Sequence, residues 1–194
     1  MYEYVKGMVA ELTPTYVVVE TGGVGYFVNI SLQTYSSIGK LKEIQLWLHH
    51  IVREDAEILF GFYGKEEREI FRLLIGVSGV GPNTARMILS SLASGEVRTA
   101  IMQDDVHRLQ NVKGIGLKTA QRLVVELKDR VIKTTDAVTA TGEPSLTGLR
   151  DEALSALIML GFGKQAAEKV LMGLLREQPQ MILENLIKEA LKRL

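Results

Sequence analysis

Apolar residues between Tyr2 and Tyr63 come in short runs with partial alternation, and from Lys65 onward the spacing changes to a helical period. The runs Tyr16–Val19, Gly25–Ile30, Ile44–Leu48 and Ile58–Phe62 are β-branched or aromatic, which predicts strands. Turns between them are supplied by Thr13-Pro14 and Gly22-Gly23-Val24-Gly25. Five or so strands in residues 2–63 predict a small barrel, with the OB-fold as leading candidate. Beyond it the pattern predicts an amphipathic helix over Lys65–Ile75 and a helix over Thr84–Leu92. Short helices follow around Gly95–Met102 and Asp104–Leu109, then a long one over Lys118–Val131 with Leu123, Val124 and Leu127 as its core stripe. Thr134–Thr147 is small and polar, too poor in large apolar groups to fold, and reads as a flexible linker reaching about 20 Å. Helical period returns over Leu149–Leu194, broken at Gly161, Gly163 and Pro179 into three helices. The expected class is therefore α+β and multidomain. Its expected parts are a barrel over 1–63, a helical domain over 64–133, a linker over 134–148 and a three-helix, UBA-like module over 149–194.

Within the helical domain one pattern occurs twice. Aligning Leu74–Leu92 on Leu109–Leu127 superposes Leu74 on Leu109, Val77 on Val112, Gly79 on Gly114, Gly81 on Gly116, Thr84 on Thr119, Ala85 on Ala120 and Leu92 on Leu127. Paired glycines allow positive φ and leave no Cβ over the backbone, so the turn is tight and bare. Its peptide N–H groups, with the N-terminus of the next helix, form a concavity suited to an anion. Pro82 takes a favoured first helical position. A loop of this kind contacts phosphate and reads no base, so the expected binding to nucleic acid is independent of sequence. A single Gly-x-Gly between two helices is most often only a tight αα turn. Two in-phase copies form a tandem helix-hairpin-helix.

A nucleotide site fits less well. Walker A needs Gly directly before Lys-Ser/Thr, whereas Leu117 precedes Lys118-Thr119, and neither copy completes G-x-G-x-x-G. Charge favours the nucleic-acid alternative once the neutral whole is divided. Residues 1–63 carry 4 basic against 7 acidic side chains, residues 64–133 carry 12 against 8, and residues 134–194 carry 7 against 8. The basic excess thus falls on the hairpins, where counterion release would favour phosphate binding. Lys113 precedes the second turn, and Lys118 and Arg122 share one face of the helix after it. The expected DNA contacts are Gly79, Val80, Gly81, Asn83 and Thr84 at the first turn, and Lys113, Gly114, Ile115, Gly116, Lys118, Thr119 and Arg122 at the second.

No cysteine is present, so disulfides and Cys-based metal sites are excluded. His49 and His50 point to opposite faces of a strand and His107 is isolated, so no metal is expected. The first residues, MYEYVKGMVAEL, lack a signal-peptide pattern, and no apolar run approaches about 18 residues, so a cytoplasmic protein is expected. The connection His49–Glu57 carries adjacent carboxylates, Glu54 and Asp55, which would be ordinary at a solvated hairpin tip. A metal-dependent nuclease would need further carboxylates from other elements, and none is evident.

The order of barrel, tandem hairpins, tether and three-helix tail resembles the RuvA family, the Holliday-junction-binding subunits of bacterial RuvAB branch-migration complexes. The matching stretches are Gly22–Tyr26, Arg53–Ala56, Gly79–Pro82, Gly114–Gly116 with Lys118–Ala120, and Leu160–Phe162, and the resemblance spans essentially the whole chain. It implies a homotetramer, or an octamer on DNA, that holds a four-way junction open and planar during recombination and repair. It implies that Glu54 and Asp55 form an acidic pin near the crossover. It further implies that the tail binds the RuvB ATPase through Leu157, Leu160, Phe162 and Leu191, and that the RuvC resolvase joins a larger complex. No catalytic site and no cofactor are expected here, ATP and Mg being used by RuvB. One departure is Asn83, which stands opposite Lys118 where relatives often carry a basic residue, so hairpin one offers less charge. The alternative is a generic helix-hairpin-helix protein that binds duplex DNA regardless of structure. An enzyme using the motif as a grip, such as a glycosylase or ligase, would need a catalytic Lys or Asp and a pocket near the second hairpin.

Overall fold

The computed structural model describes the backbone of residues 2–138, 146–178 and 180–194, and the side chains of these except 132–138 and 146–147. The alternating runs become five strands, β1 (Tyr4–Leu12), β2 (Tyr16–Thr21), β3 (Val24–Ile30), β4 (Glu43–Val52) and β5 (Glu57–Phe62). They close a barrel in the order β1-β2-β3-β5-β4, as the OB-fold expectation requires. Neighbours are antiparallel except β3 and β5. Val17, Val19, Val28, Ile30, Ile44, Leu46 and Leu48 take the inward positions and are all buried. β2 turns into β3 through Gly22 and Gly23 at φ 58° and 83°, the left-handed pair that a two-residue hairpin needs.

Two details depart from the sequence pattern. A helix, α1 (Leu32–Ile38), stands between β3 and β4 where only strand was expected. Ser31 starts it by accepting the Thr34 N–H at 3.0 Å, a local cap that overrides the poor helix propensity of LQTYSSI. The connection expected over His49–Glu57 is also shorter. His49–Val52 remain in β4 and pair with Glu57–Phe60 of β5, leaving Arg53–Ala56 as the loop.

The helical segment forms α2 (Lys65–Ile75), α3 (Pro82–Ser91), α4 (Ser94–Met102), α5 (Val106–Gln110) and α6 (Leu117–Val138). It shares one compact unit, Met1–Thr134, with the barrel, so no gap in packing falls at residue 63. Phe60 and Phe62 of β5 leave the barrel interior and lie in the same apolar core as the hairpins. The ring of Phe71 of α2 packs tilted against both, at 5.1 and 4.9 Å between ring centres. Polar groups reinforce the joint. Glu67 of α2 is buried and accepts from the hydroxyls of Ser31 and Thr34, the latter at 2.7 Å. The Thr34 oxygen in turn accepts the Tyr63 N–H at 3.1 Å, so each hydroxyl takes a backbone proton and gives its own to the carboxylate. Arg68, 4% exposed, donates to Glu3 at 2.8 Å and to the Glu3 and Leu48 carbonyls at 3.1 and 3.4 Å.

The second unit contains α7 (Leu146–Met159), α8 (Lys164–Glu177) and α9 (Leu183–Arg193) around Ala153, Leu157, Ala167, Leu171, Leu174, Leu186 and Ala190. Helix α7 stops at Gly161, φ 96°, where Gly161 N–H returns to Ile158 O at 3.0 Å and Phe162 N–H to Leu157 O at 3.1 Å. That is a Schellman end, which requires a left-handed residue at Gly161 and folds Phe162 back against the core. The linker expectation is narrowed at both ends. Helix α6 continues to Val138 and α7 begins at Leu146, because a nucleated helix propagates at little cost through residues that would not start one. The remainder of the expected linker, 139–145, and Pro179 lie outside the described residues.

His49 of β4 lies in the same joint, ring edge on Phe71 at 5.4 Å, with its Nδ1 buried and unpartnered. Burial first, then the positive charges of Arg72 and Arg68, hold its pKa below the ordinary 6.5, with His50 adding to them and Glu69 opposing. A base whose folded pKa is depressed supports the fold above its unfolded pKa and withdraws that support as pH falls through it. Urea midpoints taken from about pH 7.5 down to about pH 5 should therefore fall more steeply in the wild type than in His49→Phe. Parallel profiles would place the acid sensitivity elsewhere.

Candidate nucleic-acid interface

The two Gly-x-Gly turns repeat one another hydrogen bond for hydrogen bond. Val77 N–H reaches Leu74 O at 3.1 Å and Val112 N–H reaches Leu109 O at 3.2 Å; Val80 N–H reaches Val77 O and Ile115 N–H reaches Val112 O, both at 3.0 Å. Ala85 N–H and Ala120 N–H then open the following helices on Gly81 O and Gly116 O at 2.9 and 3.0 Å. Gly79 and Gly114 share φ 89°. Leu74 and Leu109 are fully buried, as are Ala85 and Ala120. Sequence patterning placed Val80 and Ile115 among the DNA contacts, but their side chains are 4% and 5% exposed and plug the core. An apolar side chain one residue from solvent on each side gains most by turning inward, so these two shape the loop and only the flanking backbone faces out.

What remains outward is unspent. Among the described residues no acceptor takes the N–H of Gly79, Gly81, Asn83 or Thr84, nor of Gly114, Gly116, Lys118 or Thr119. Orphan donors at a helix start call for a partner, and exposed ones are open to an anion. The glycines of each pair have different reasons to be glycine. Gly79 and Gly114 need the left-handed backbone. Gly81 sits at φ −81°, and a Cβ on Gly81 or Gly116 would meet nothing within 4 Å. Nothing inside the protein asks for glycine there, whereas a phosphate drawn onto the backbone would.

The hairpins also grip one another in a pseudo-twofold way. Met87 of α3 lies against Gly114, where an added Cβ would come within 3.3 Å of its methyl group. Arg122, which holds the matching place on α6, donates to Ser78 O at 3.3 Å and pairs with Glu126 at 3.6 Å. Arg122 was expected only as a phosphate contact; its position also ties the two loops together. Lys113, Lys118 and Asn83 are exposed, with no side-chain partner among the described residues. Arg86, which sequence patterning did not single out, fixes hairpin one to the barrel. Its Nη1 donates to Thr15 O at 3.0 Å and to Asn29 Oδ1 at 3.2 Å, and burial lowers its pKa.

Glu54 and Asp55 stand exposed at the tip of the loop between β4 and β5, which Arg53 N–H closes on Ala56 O at 2.8 Å. Next to the tip, Arg53 shares the wall of a cavity of about 390 Å³ with Pro82 and Asn83 of hairpin one, so the acidic loop and the first Gly-x-Gly turn border one concavity. Among the described residues no three His, Asp or Glu side chains gather as a metal site. In the second unit the expected partner surface divides. Leu157 is fully buried in the core, being a Schellman contact rather than a surface residue, and Phe162 packs beside it. Leu160 and Leu191 are exposed, as are Ile158 and Met159, the last at 86%.

Residues 1–61 match the family described as RuvA N terminal domain, residues 71–129 a SAM-like Helix-hairpin-helix tandem, and residues 148–194 the RuvA, C-terminal domain. A relative from Bacteroides thetaiotaomicron is 50% identical over 202 residues, covering 100% of both chains. One from Christiangramia forsetii is 49% identical over 194 residues with the same full coverage. The chain belongs to the RuvA family. Both relatives are named Holliday junction branch migration complex subunit RuvA, as is one from Flavobacterium psychrophilum at 45% identity, again over 100% of both chains.

The glycines offer a direct check. Gly114→Ala should lose about 1–2 kcal/mol of unfolding free energy because its backbone is left-handed, and Gly116→Ala should stay within about 0.5 kcal/mol of wild type. Both should lose affinity for DNA in a filter-binding assay, Gly116→Ala without the stability loss. Full DNA affinity in Gly116→Ala would show that phosphate does not approach this backbone.

Proposed function

We propose that this chain binds four-way DNA junctions without sequence preference, holds them open and directs a RuvB ATPase to them for branch migration in recombination and repair. The observation that carries the proposal is the pair of hairpins with identical hydrogen bonding and unspent N–H groups, in a chain whose full-length relatives are named for the Holliday junction. Backbone donors contact phosphate alike on every sequence. Lys113, Lys118 and Arg122 add long-range attraction at hairpin two, and Asn83 leaves hairpin one with less, so the affinity divides unevenly. Four copies about a fourfold axis would bring the Glu54–Asp55 tips together at the centre, where an open junction has a gap and continuous duplex would run its backbone. Repulsion there falls hardest on linear duplex. The exposed Ile158, Met159, Leu160 and Leu191 of the second unit are offered as the RuvB surface, with RuvC joining the assembly on DNA. ATP and Mg belong to RuvB in this scheme. No described helix is long and apolar enough to cross a membrane, and the site of action proposed is the cytoplasm.

A labelled four-way junction challenged with excess linear duplex separates this function from generic duplex binding: the junction complex should survive the competitor. Glu54→Gln with Asp55→Asn should narrow that preference by tightening duplex binding. The effect should fade as salt rises, since exposed charges are screened over about 10 Å at about 0.1 M. Unchanged discrimination at low salt would leave the two carboxylates as an ordinary loop tip.

Removing residues 148–194 should leave junction affinity within about twofold and abolish stimulation of RuvB, since the proposed DNA contacts all belong to the first unit. Equal loss of both would place the second unit on DNA.

A further inference from the structure

The cavity beside the acidic loop holds a feature that phosphate gripping does not use. Phe27 of β3 is 53% exposed, an unusual place for a phenylalanine on a polar rim. One face of its ring is held by Tyr16, stacked at 4.5 Å and 27°, and Tyr16 is itself anchored by donating to Glu11 at 2.6 Å. Phe27 is thus a fixed flat platform rather than a loose side chain. It lines the cavity of about 390 Å³ together with Asn29, Arg53, Glu57, Pro82 and Asn83. Among these, Asn29 spends one amide proton on Leu59 O at 3.2 Å and accepts from Arg86, which holds it in place with one amide proton still to give. The side chains of Arg53 and Asn83 have no partner among the described residues.

The lining selects the chemistry of the occupant. Glu57 in the wall, with Glu54 and Asp55 just beyond, disfavours a phosphate. A neutral planar ring meets no such penalty, can stack on Phe27, and finds amide and guanidinium donors for its edge. Asn83 belongs both to this wall and to the start of α3, where its own N–H is among the unspent phosphate donors. A strand held by its phosphate at hairpin one therefore presents its adjacent base at the mouth of the cavity.

We propose that this cleft between the barrel and hairpin one receives one unstacked nucleobase from the DNA strand that hairpin one grips, with Phe27 as stacking platform and Asn29, Asn83 and Arg53 as edge donors. The proposal rests on the junction-binding function above. Each step of branch migration breaks pairs at the crossover, and a place that holds the freed base by its flat face, whatever its identity, lowers the cost of unstacking it. Recognition through the ring face keeps the site indifferent to sequence.

The test places 5-iododeoxyuridine at the crossover of a synthetic four-way junction, or in the middle of an arm, and irradiates the complex with the full-length protein. The expected result is a crosslink to Phe27, mapped by mass spectrometry, from the crossover position alone. Phe27→Ala should abolish it and weaken junction binding about tenfold, within the range for loss of one stacked base. Its affinity for linear duplex, which offers no free base, and the mass of its assembly should be unchanged, and Phe27→Tyr should restore junction binding. A crosslink elsewhere, an equal loss on duplex, or an altered assembly mass would overturn the proposal. Equal crosslinking of free iododeoxyuridine monophosphate at the same concentration would reassign the cleft to free nucleotides and overturn it too. A wild type that shows no preference for junctions would sink the function proposed above and this inference together, whereas a junction-selective wild type that crosslinks elsewhere sinks this inference alone.

Discussion

The inward turn of Val80 and Ile115 is the constraint on which the interface depends. Each sits between two glycines, and burying it pins the middle of the loop to the core that runs from Phe60 to Val131. With that point fixed, the chain must enter through a left-handed residue and leave into a helix, and the N–H groups on either side are left pointing at water. The proposed anion site is thus a by-product of apolar packing: the core gains the burial of two aliphatic side chains, each worth about 1.5–3 kcal/mol, and the surface keeps a rigid set of donors. Because the donors are preset, binding phosphate costs little ordering of the loop.

The same core explains why the barrel and the hairpins act as one body. Phe60 and Phe62 leave the barrel to meet Phe71, and around this apolar joint sit Glu67 with its two hydroxyls, Arg68 on Glu3, and Arg86 on Asn29. Burial raises the Glu67 pKa, while the hydrogen bonds from Ser31 and Thr34 oppose that rise. A carboxylate kept in such a place costs stability and is satisfied only when α1 and α2 hold one relative position. The orientation of the acidic loop relative to hairpin one is set through these contacts, and with it the distance between the carboxylates proposed to repel phosphate and the turn proposed to accept it.

Periodicity made much of this visible beforehand. The duplicated motif was readable because both copies obey the same burial rule, so the same residue types recur at Leu74 and Leu109, Val77 and Val112, Ala85 and Ala120. The barrel followed from alternation and from Gly22-Gly23. Other features depend on partners distant in sequence, which a linear pattern does not contain. Arg86 and Asn29 meet only because hairpin one packs on the barrel. Leu157, which the family resemblance grouped with Leu160 as a partner contact, is core because the Schellman end at Gly161 turns the chain back over it. Helix α1 was hidden because its cap, Ser31, and its polar anchor, Thr34, are fixed by Glu67 from another element. The extension of α6 past residue 133 runs through Thr-Thr-Asp, where local propensity argues for a loop and an established helix overrides it.

Amide chemical shifts, followed by two-dimensional NMR as an unlabelled four-way junction is added to the labelled protein, give the most direct test of backbone phosphate recognition. The amide protons of Gly81, Asn83, Thr84, Gly116, Lys118 and Thr119 should move downfield together on binding. Those of Val80 and Ile115, which already donate within the loop, should move little. Shifts centred on Val80 and Ile115, or on a surface away from both turns, would contradict the assignment of the hairpins as the phosphate-binding elements.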